Sequence, residues 1–331
     1  MKELIMKKLI ASLLVLSTAV LGSAGNGNAA DSLVVYNGTN PKLASAIIKA
    51  FNVKHSDISV DIISAGVGEL LTRIKAESAN PRGDVLMGAS VEAYDSALDM
   101  FAPYKTTEDK NFDRDVVADN HQYYGFSMPL QAFIVNTKLL PGGEAPKSWK
   151  DLGDPKFKGK IIMANPSLSG SAYAQLAQML QLYDWNLIEK LVNNTTFVTS
   201  SKLVYQNVAK GEIAVGITGD YNVIKMRDKG FTVDAVYPSE GTGLRFDANA
   251  IIKGGPNLKS AKAFINFVNS RESHEIMVNL RNRRSVRKDV TAPRGQIPTA
   301  EVPTFAYDPK KASSERASNL EKFDKLFSAK Q

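Results

Sequence analysis

Cysteine is absent from this 331-residue chain. That excludes disulfides, cysteine-ligated zinc, iron–sulfur clusters and thiol nucleophiles together. Histidine is scarce: His55, His121 and His274 are the only three, and no two lie within five residues of each other. A His-x-x-x-His metal-binding helix is therefore excluded. A large excess of one charge is also missing. The net charge is +7; Lys2, Lys7 and Lys8 against Glu3 put +2 of it in the first 30 residues, which leaves +5 for the rest. No arginine-rich tail or aromatic interleaving accompanies it, so a nucleic-acid partner is not expected. Hydrophobic residues make up 44% and charged residues 23%, which is ordinary globular composition and excludes disorder or coiled coil.

Long hydrophobic runs are missing too. Leu9–Leu21 holds 13 residues, short of the roughly 20 that cross a bilayer. With Lys7-Lys8 before it and Gly27-Asn28-Ala29-Ala30 after it, residues 1–30 carry the pattern of a cleaved signal peptide, cut after Ala29 or Ala30. Met6 opens a more typical signal than Met1. No lipid-anchor cysteine stands at the cut. A soluble, exported mature chain is expected.

After Ala30 the pattern is strand, turn, helix, repeated. Leu33–Tyr36, Ser59–Ile63 and Asp84–Met87 have strand character. Helical spacing follows in Lys42–Phe51, Glu69–Ser78 and Val91–Met100. A second set begins at Lys160–Ala164 and continues through Ile213–Ile217 and Val233–Tyr237. Gly125–Thr137 looks like one extended stretch joining the two sets, and Ala248–Lys253 like a returning strand. Asn257–Ser270 is amphipathic, and a charged helix is expected around Ser314–Phe327. Such alternation points to an α/β fold with parallel strands.

The turns are the informative feature. Asn37-Gly38-Thr39, Gly66-Val67-Gly68, Gly88-Ala89-Ser90, Ser169-Gly170-Ser171 and Gly241-Thr242-Gly243 pair small residues with hydroxyls after strands. Uncovered amides at helix N-termini meet the positive end of the macrodipole and attract anions. Any one such turn needs Gly and Ser merely as turn and cap residues. Their recurrence at one kind of position favours a shared anion cleft, which in open α/β sheets lies at the carboxyl ends of strands. Enzyme motifs do not appear: Leu71 stands where a dinucleotide fingerprint needs its third glycine, and Gly-x-x-x-x-Gly-Lys-Ser/Thr and Gly-x-Ser-x-Gly are absent. The basic run Arg281–Lys288 reads first as a solvated face or a set of lobe-packing ion pairs, and second as the source of one ligand-reaching arginine.

Several segments resemble periplasmic solute-binding proteins of ABC importers, in the subgroup that binds iron(III), 2-aminoethylphosphonate, thiamine or hexose phosphate. They are Leu33–Gly38, Trp149–Leu152, Asp154–Ile161, Asn165–Tyr173, Tyr237–Gly243 and Arg283–Val290. The resemblance implies a type 2 periplasmic binding protein fold, with two lobes joined by a two-strand hinge near Phe126–Asn136 and Ala248–Lys253. One lobe would hold 31–130 and, with the C-terminal helices, 250–331; the other would hold 131–249. The ligand would lie between them, touched by Asn37, Thr39, Gly66, Val67, Gly68, Ser90, Ser169, Gly170, Ser171, Asp220, Tyr221 and Glu240. Asp220 and Glu240 would face hydroxyls or an amine. Iron-binding members of the subgroup use a Tyr-Tyr pair, which here reads Asp220-Tyr221, and no histidine follows Asn37-Gly38. The expected ligand is a small anion, a phosphonate or a sugar phosphate, delivered to a permease in the inner membrane. Ferric iron held by Tyr221 is the alternative, and an exported α/β hydrolase is a third reading. No cofactor is expected, and a monomer is.

Overall fold

A computed structural model describes residues 31–141 and 143–330. The expected signal peptide, residues 1–30, lies outside the described residues. Among the described residues no helix is long and apolar enough to cross a membrane.

The chain opens with β1 (Asp31–Asn37), α1 (Pro41–Lys54), β2 (Ile58–Ser64), α2 (Val67–Ala76), β3 (Val85–Ser90), α3 (Val91–Asp95) and β4 (Phe101–Ala102). Local chemistry sets these bounds. Asn40 accepts from the Lys42 amide at 3.1 Å, Pro41 occupies the first turn, and Leu43, Ala44, Ile47 and Phe51 form the buried stripe of α1. The expected helix over Val91–Met100 is shorter: α3 stops at Asp95 and a 3₁₀ turn takes Leu98–Met100.

Gly125–Thr137 is not one extended element but two. β5 (Tyr124–Met128) and β6 (Gln131–Asn136) belong to different sheets, and Pro129-Leu130 between them carries the chain across. Proline has no N–H to offer a ladder, so the break falls there. The second sheet continues with β7 (Ile161–Ala164), α4 (Gly170–Leu182), α5 (Trp185–Asn194), β8 (Thr195–Val198), α6 (Ser201–Lys210), β9 (Val215–Gly219), α7 (Asp220–Arg227) and β10 (Val233–Val236). The chain then returns through β11 (Thr242–Gly243) to β12 (Asp247–Ile252), followed by α8 (Leu258–Val268), α9 (Arg271–Arg281) and β13 (Arg284–Ser285). Last come β14 (Thr304–Phe305), α10 (Pro309–Ser314) and α11 (Arg316–Lys330).

The first sheet runs β13-β5-β12-β3-β1-β2, with β4 also on β12; the second runs β10-β6-β9-β7-β8. Each mixes parallel and antiparallel pairs. β1 lies parallel to β2 and β3, and β7 parallel to β8 and β9, whereas β12 runs antiparallel to β3 and β5. Apolar residues cover both faces of the first sheet, Leu33, Val35 and Phe51 on one and Tyr36, Leu86 and Tyr94 on the other. A separate core around Phe133, Trp149, Leu176 and Ile188 serves the second.

Two expectations change. Ala248–Lys253 is not the return crossover; its residues sit inside the first sheet, and the crossing occurs upstream in residues 237–246. The C-terminal helices, assigned with the first lobe, pack on the second body: Ala312 and Phe323 join its core, and Lys330 Nζ donates to the Val192 and Thr195 carbonyls at 2.6 Å. α11 carries its few apolar residues amid charge, too diluted to reveal from periodicity which body they meet.

Candidate functional site

The parallel strands of both sheets deliver turns to one region. β1 ends at Asn37, β2 leads to the start of α2, β3 ends at Ser90, and β7 leads to the start of α4. A cavity of about 350 Å³ collects Thr39, Val67, Ser90, Gly170 and Ser171 from these ends. An adjoining chamber of about 480 Å³ shares Val67, Ser90 and Gly170 with it and adds Gly68.

The first-turn amides of α2 and α4 have no intrahelical partner. Gly66 caps α2 without a side chain, and Ser169 caps α4, its Oγ accepting from the Ala172 amide at 3.4 Å. A Cβ built on Gly66, Gly68 or Gly170 would meet nothing within 4 Å. Protein packing therefore does not demand glycine at these places, and Gly68 and Gly170 lie on the walls of the two spaces. Gly88 differs. Its φ is +76°, and a Cβ there would lie 2.6 Å from the Thr39 Cβ, so glycine is what lets β3 approach the Thr39 turn.

Other expected residues stand one step back. Asn37 is buried, accepts from the Thr39 amide at 3.0 Å and donates to Ser64 Oγ at 2.9 Å. It shapes the turn, and the Thr39 amide is already used. Ser169, Ser171 and Ser201 form a hydroxyl triangle with Oγ–Oγ distances of 3.2, 2.7 and 2.8 Å. Tyr221 lies under Arg283, whose guanidinium is 4.7 Å from the ring centre.

Two expected residues are placed elsewhere. Asp220 is fully buried, accepts from Arg284 Nε at 2.9 Å and from the Tyr237 hydroxyl at 3.0 Å. Burial pushes its carboxyl up while Arg284 pulls it down, and burial likewise drives the Tyr237 phenol well above its ordinary range. These groups form a structural ion pair behind the cavity. Glu240 accepts from the Trp149 and Lys150 amides at 3.2 and 3.3 Å and from the Tyr183 hydroxyl, whose pKa is pushed up to about 12 by burial and this contact. It fastens a loop of the second body and does not line the cavity. The Gly241–Gly243 turn is spent similarly: Thr242 Oγ1 accepts from the Gln131 amide at 3.0 Å.

Arginine is what the sequence reading underweighted. Arg245, Arg281 and Arg283 all line the 350 Å³ cavity, with Asp247 the one carboxylate among them. Arg283 Nη1 donates to Asp247 at 2.6 Å, and its Nε is buried without a partner. Arg245 Nε donates to Glu92 at 2.8 Å, its one hydrogen bond among the described residues. Arg281 makes none; burial and the neighbouring Arg283 push its guanidinium below the ordinary value. The Arg281–Lys288 run thus divides: Arg284 and Arg287 are consumed in buried ion pairs, while Arg281 and Arg283 face the cavity. A lone Arg245 beside Phe246 carries no sequence signal. Ser201 had one, since Ser200-Ser201 opens a helix.

A larger cavity of about 920 Å³ lies between the Ser285–Pro309 segment and the first body. Its Lys288 is already paired with Asp113 at 2.6 Å, and Arg287 with Glu108 at 2.8 Å. Size alone does not make it the ligand site. Among the described residues no cluster of His, Asp and Glu could hold a metal ion.

Comparison with known proteins agrees with this architecture. A family model described as bacterial extracellular solute-binding protein matches residues 46–312. A putative 2-aminoethylphosphonate-binding periplasmic protein of Salmonella typhimurium is 29% identical over 251 residues, 72% of each chain. The periplasmic binding protein AfuA from Actinobacillus pleuropneumoniae, solved with exogenous fructose-6-phosphate bound, is 25% identical. It superposes with a TM-score of 0.76 over 90% of this chain and 98% of its own. Iron-bound HitA from Pseudomonas aeruginosa gives 0.80 at 22% identity, covering 88% of this chain and 99% of its own. The fold is that of type 2 periplasmic binding proteins, and the chain belongs to the bacterial extracellular solute-binding protein family.

Proposed function

We propose that this solute-binding component of an ABC importer captures a small dianion carrying a phosphoryl or phosphonyl group. The observation that supports it most is the cavity wall, where three guanidinium groups (Arg245, Arg281, Arg283) face one carboxylate, Asp247. Arg245 is paired with Glu92 and Arg283 with Asp247, so Arg281 is the guanidinium without a carboxylate partner. The wall keeps a net positive charge that attracts a phosphate monoester, which carries about −1.5 to −2 at neutral pH. The amides of Gly170 and Ser171, at the start of α4, and the hydroxyls of Thr39, Ser90 and Ser171 add donors from both bodies. Each hydrogen bond to charge contributes about 1.5 to 3 kcal/mol. Four or five of them support a micromolar dissociation constant, about −8 kcal/mol, after ordering costs.

The same charges disfavour ferric iron, because a bare trivalent cation beside three guanidiniums is repelled. Tyr221, the one phenol proposed for iron, is covered by Arg283. The ligand set proposed here is Thr39, Val67, Ser90, Gly170, Ser171, Arg245, Arg281 and Arg283, with Asn37, Gly66, Ser169 and Tyr221 as supports; Gly68 borders the adjoining chamber. Asp220 and Glu240 are left out. Closure of the two bodies about Pro129-Leu130 and residues 237–246 would present the loaded form to an inner-membrane permease. The protein would act as a periplasmic monomer, exported through cleavage after Ala29 or Ala30. Family and fold are those of solute-binding transport proteins rather than enzymes.

The test is a thermal-shift panel of phosphate esters, phosphonates and ferric citrate, with a visible spectrum of each mixture. A phosph(on)ate at 100 times its dissociation constant should add about 2.7 kcal/mol of stability. A shift with ferric citrate alone, with a phenolate–iron absorption band, would replace this reading with the iron one.

A further inference from the structure

The 480 Å³ chamber beside the arginine cavity is not explained by a compact anion. The two spaces share Arg245 besides the turn residues. The chemistry changes across that arginine. Beyond it the walls are mostly apolar, with Leu71 and Ala93 from the first body and Tyr173 and Ala174 from the second. The carboxylate there is Glu92. Its Oε1 accepts from Arg245 at 2.8 Å, and its Oε2 is buried without any hydrogen-bond partner. A buried carboxylate oxygen left unpaired is costly unless a donor arrives.

The outer wall is supplied by the C-terminal arm: Tyr307, Ala312, Ser313 and Arg316. This arm is fastened to the second body. The Tyr173 hydroxyl donates to the Ala312 carbonyl, Gln181 and Asp308 exchange two hydrogen bonds of 2.8 Å, and Arg316 stacks 4.3 Å over Tyr173. Its contact with the first body is the packing of α10 against α3, the helix that carries Glu92. The arm therefore touches both bodies at the chamber.

We infer that the chamber is the subsite for the organic tail of the phosph(on)ate ligand, with Glu92 Oε2 accepting from a hydroxyl or ammonium on that tail and the Tyr307–Arg316 arm as the wall that selects it. This rests on the phosph(on)ate reading above. The head is held by the guanidiniums whatever its tail; the arm discriminates among tails by the space and apolar surface it leaves.

The experiment compares head-only and tail-bearing probes by titration calorimetry. Methylphosphonate is the head; 2-aminoethylphosphonate and fructose 6-phosphate carry tails. Ser313→Trp on the arm and Ser96→Trp, an exposed position on the opposite wall, each fill the chamber from a different body. The wild type should prefer one tail-bearing probe over methylphosphonate at least tenfold. Either variant should erase that preference while methylphosphonate affinity stays within about threefold. A preference that survives in both folded variants, or a wild type that binds all probes alike, overturns the subsite and leaves the head site standing. A wild type that binds no probe overturns both. Melting curves identify a variant that fails to fold, and the other then decides.

Discussion

Replacing Arg281 with methionine separates the binding role of this residue from any structural one, because the two have opposite signs. Arg281 sits at the end of α9 and lines the cavity, yet makes no hydrogen bond among the described residues. It is held at a cost, since burial and Arg283 both oppose its charge. Removing the charge forfeits about 0.3 to 1 kcal/mol of favourable interaction with the helix C-terminus, but relieves the repulsion from Arg283. Methionine keeps most of the apolar stem. The unliganded variant should therefore unfold within about 1 kcal/mol of the wild type in urea. Binding should suffer more. Loss of one charge-assisted contact to the ligand costs about 1.5 to 3 kcal/mol, so the dissociation constant for a phosph(on)ate should rise about tenfold to about a hundredfold. Arg281→Lys should recover part of that loss. Calorimetry at fixed low salt measures the first quantity and denaturant titration the second. Unchanged affinity would refute the assignment of Arg281 to the anion. A variant more than about 2 kcal/mol less stable would show that Arg281 is a structural residue, contrary to its lack of partners.

Three further outcomes follow from the geometry. The Ser169→Ala, Ser171→Ala double variant removes two corners of the hydroxyl triangle with Ser201 and should abolish the phosph(on)ate thermal shift while the unliganded melting temperature falls by only a few degrees. Asp220→Ala strands the buried Arg284 guanidinium and should cost about 3 to 5 kcal/mol in denaturant unfolding; a loss under 1 kcal/mol would contradict the ion-pair role. His274 is buried, with Nδ1 on Ser285 Oγ at 2.7 Å and Nε2 unpaired. Burial, with Arg287 adding to it, holds its pKa well below the ordinary value, so the unfolded chain takes up a proton that the folded one refuses. Stability present above about pH 6.5 should fall below it, by up to about 1.4 kcal/mol per pH unit, and His274→Phe should flatten that slope in pH-dependent denaturant titrations.

Much of this molecule was legible in the sequence because the signals were local. The strand character of Leu33–Tyr36 and the helical spacing of Lys42–Phe51 each involve residues within a few positions of one another, and the structure forms both. The helix-opening turns that crowd the cavity were visible for the same reason: glycine and serine after an apolar strand mark a helix N-terminus whatever the tertiary fold. What depended on distance was less visible. Glu240 and Asp220 read as carboxylates that face the ligand, but their partners are Trp149 and Arg284, 91 and 64 positions away. Arg245 and Arg283 are separated in sequence by β12, α8 and α9, and the antiparallel seating of β12 beside β5 and of β13 beside β5 brings them to one wall. The C-terminal arm shows the same limit, since a charged helix does not announce which body it will cover.

The charge of the bound species can be read most directly by titrating a phosphate monoester into the purified protein at pH 5 and pH 7.5, either side of the second phosphate ionisation near about 6. Arg281, with the paired Arg245 and Arg283 beside it, leaves the wall net positive and should favour the dianion, giving an affinity several-fold to about tenfold higher at pH 7.5. Equal affinity at both values, or no binding at either with ferric ion taken up instead, would contradict the dianion site.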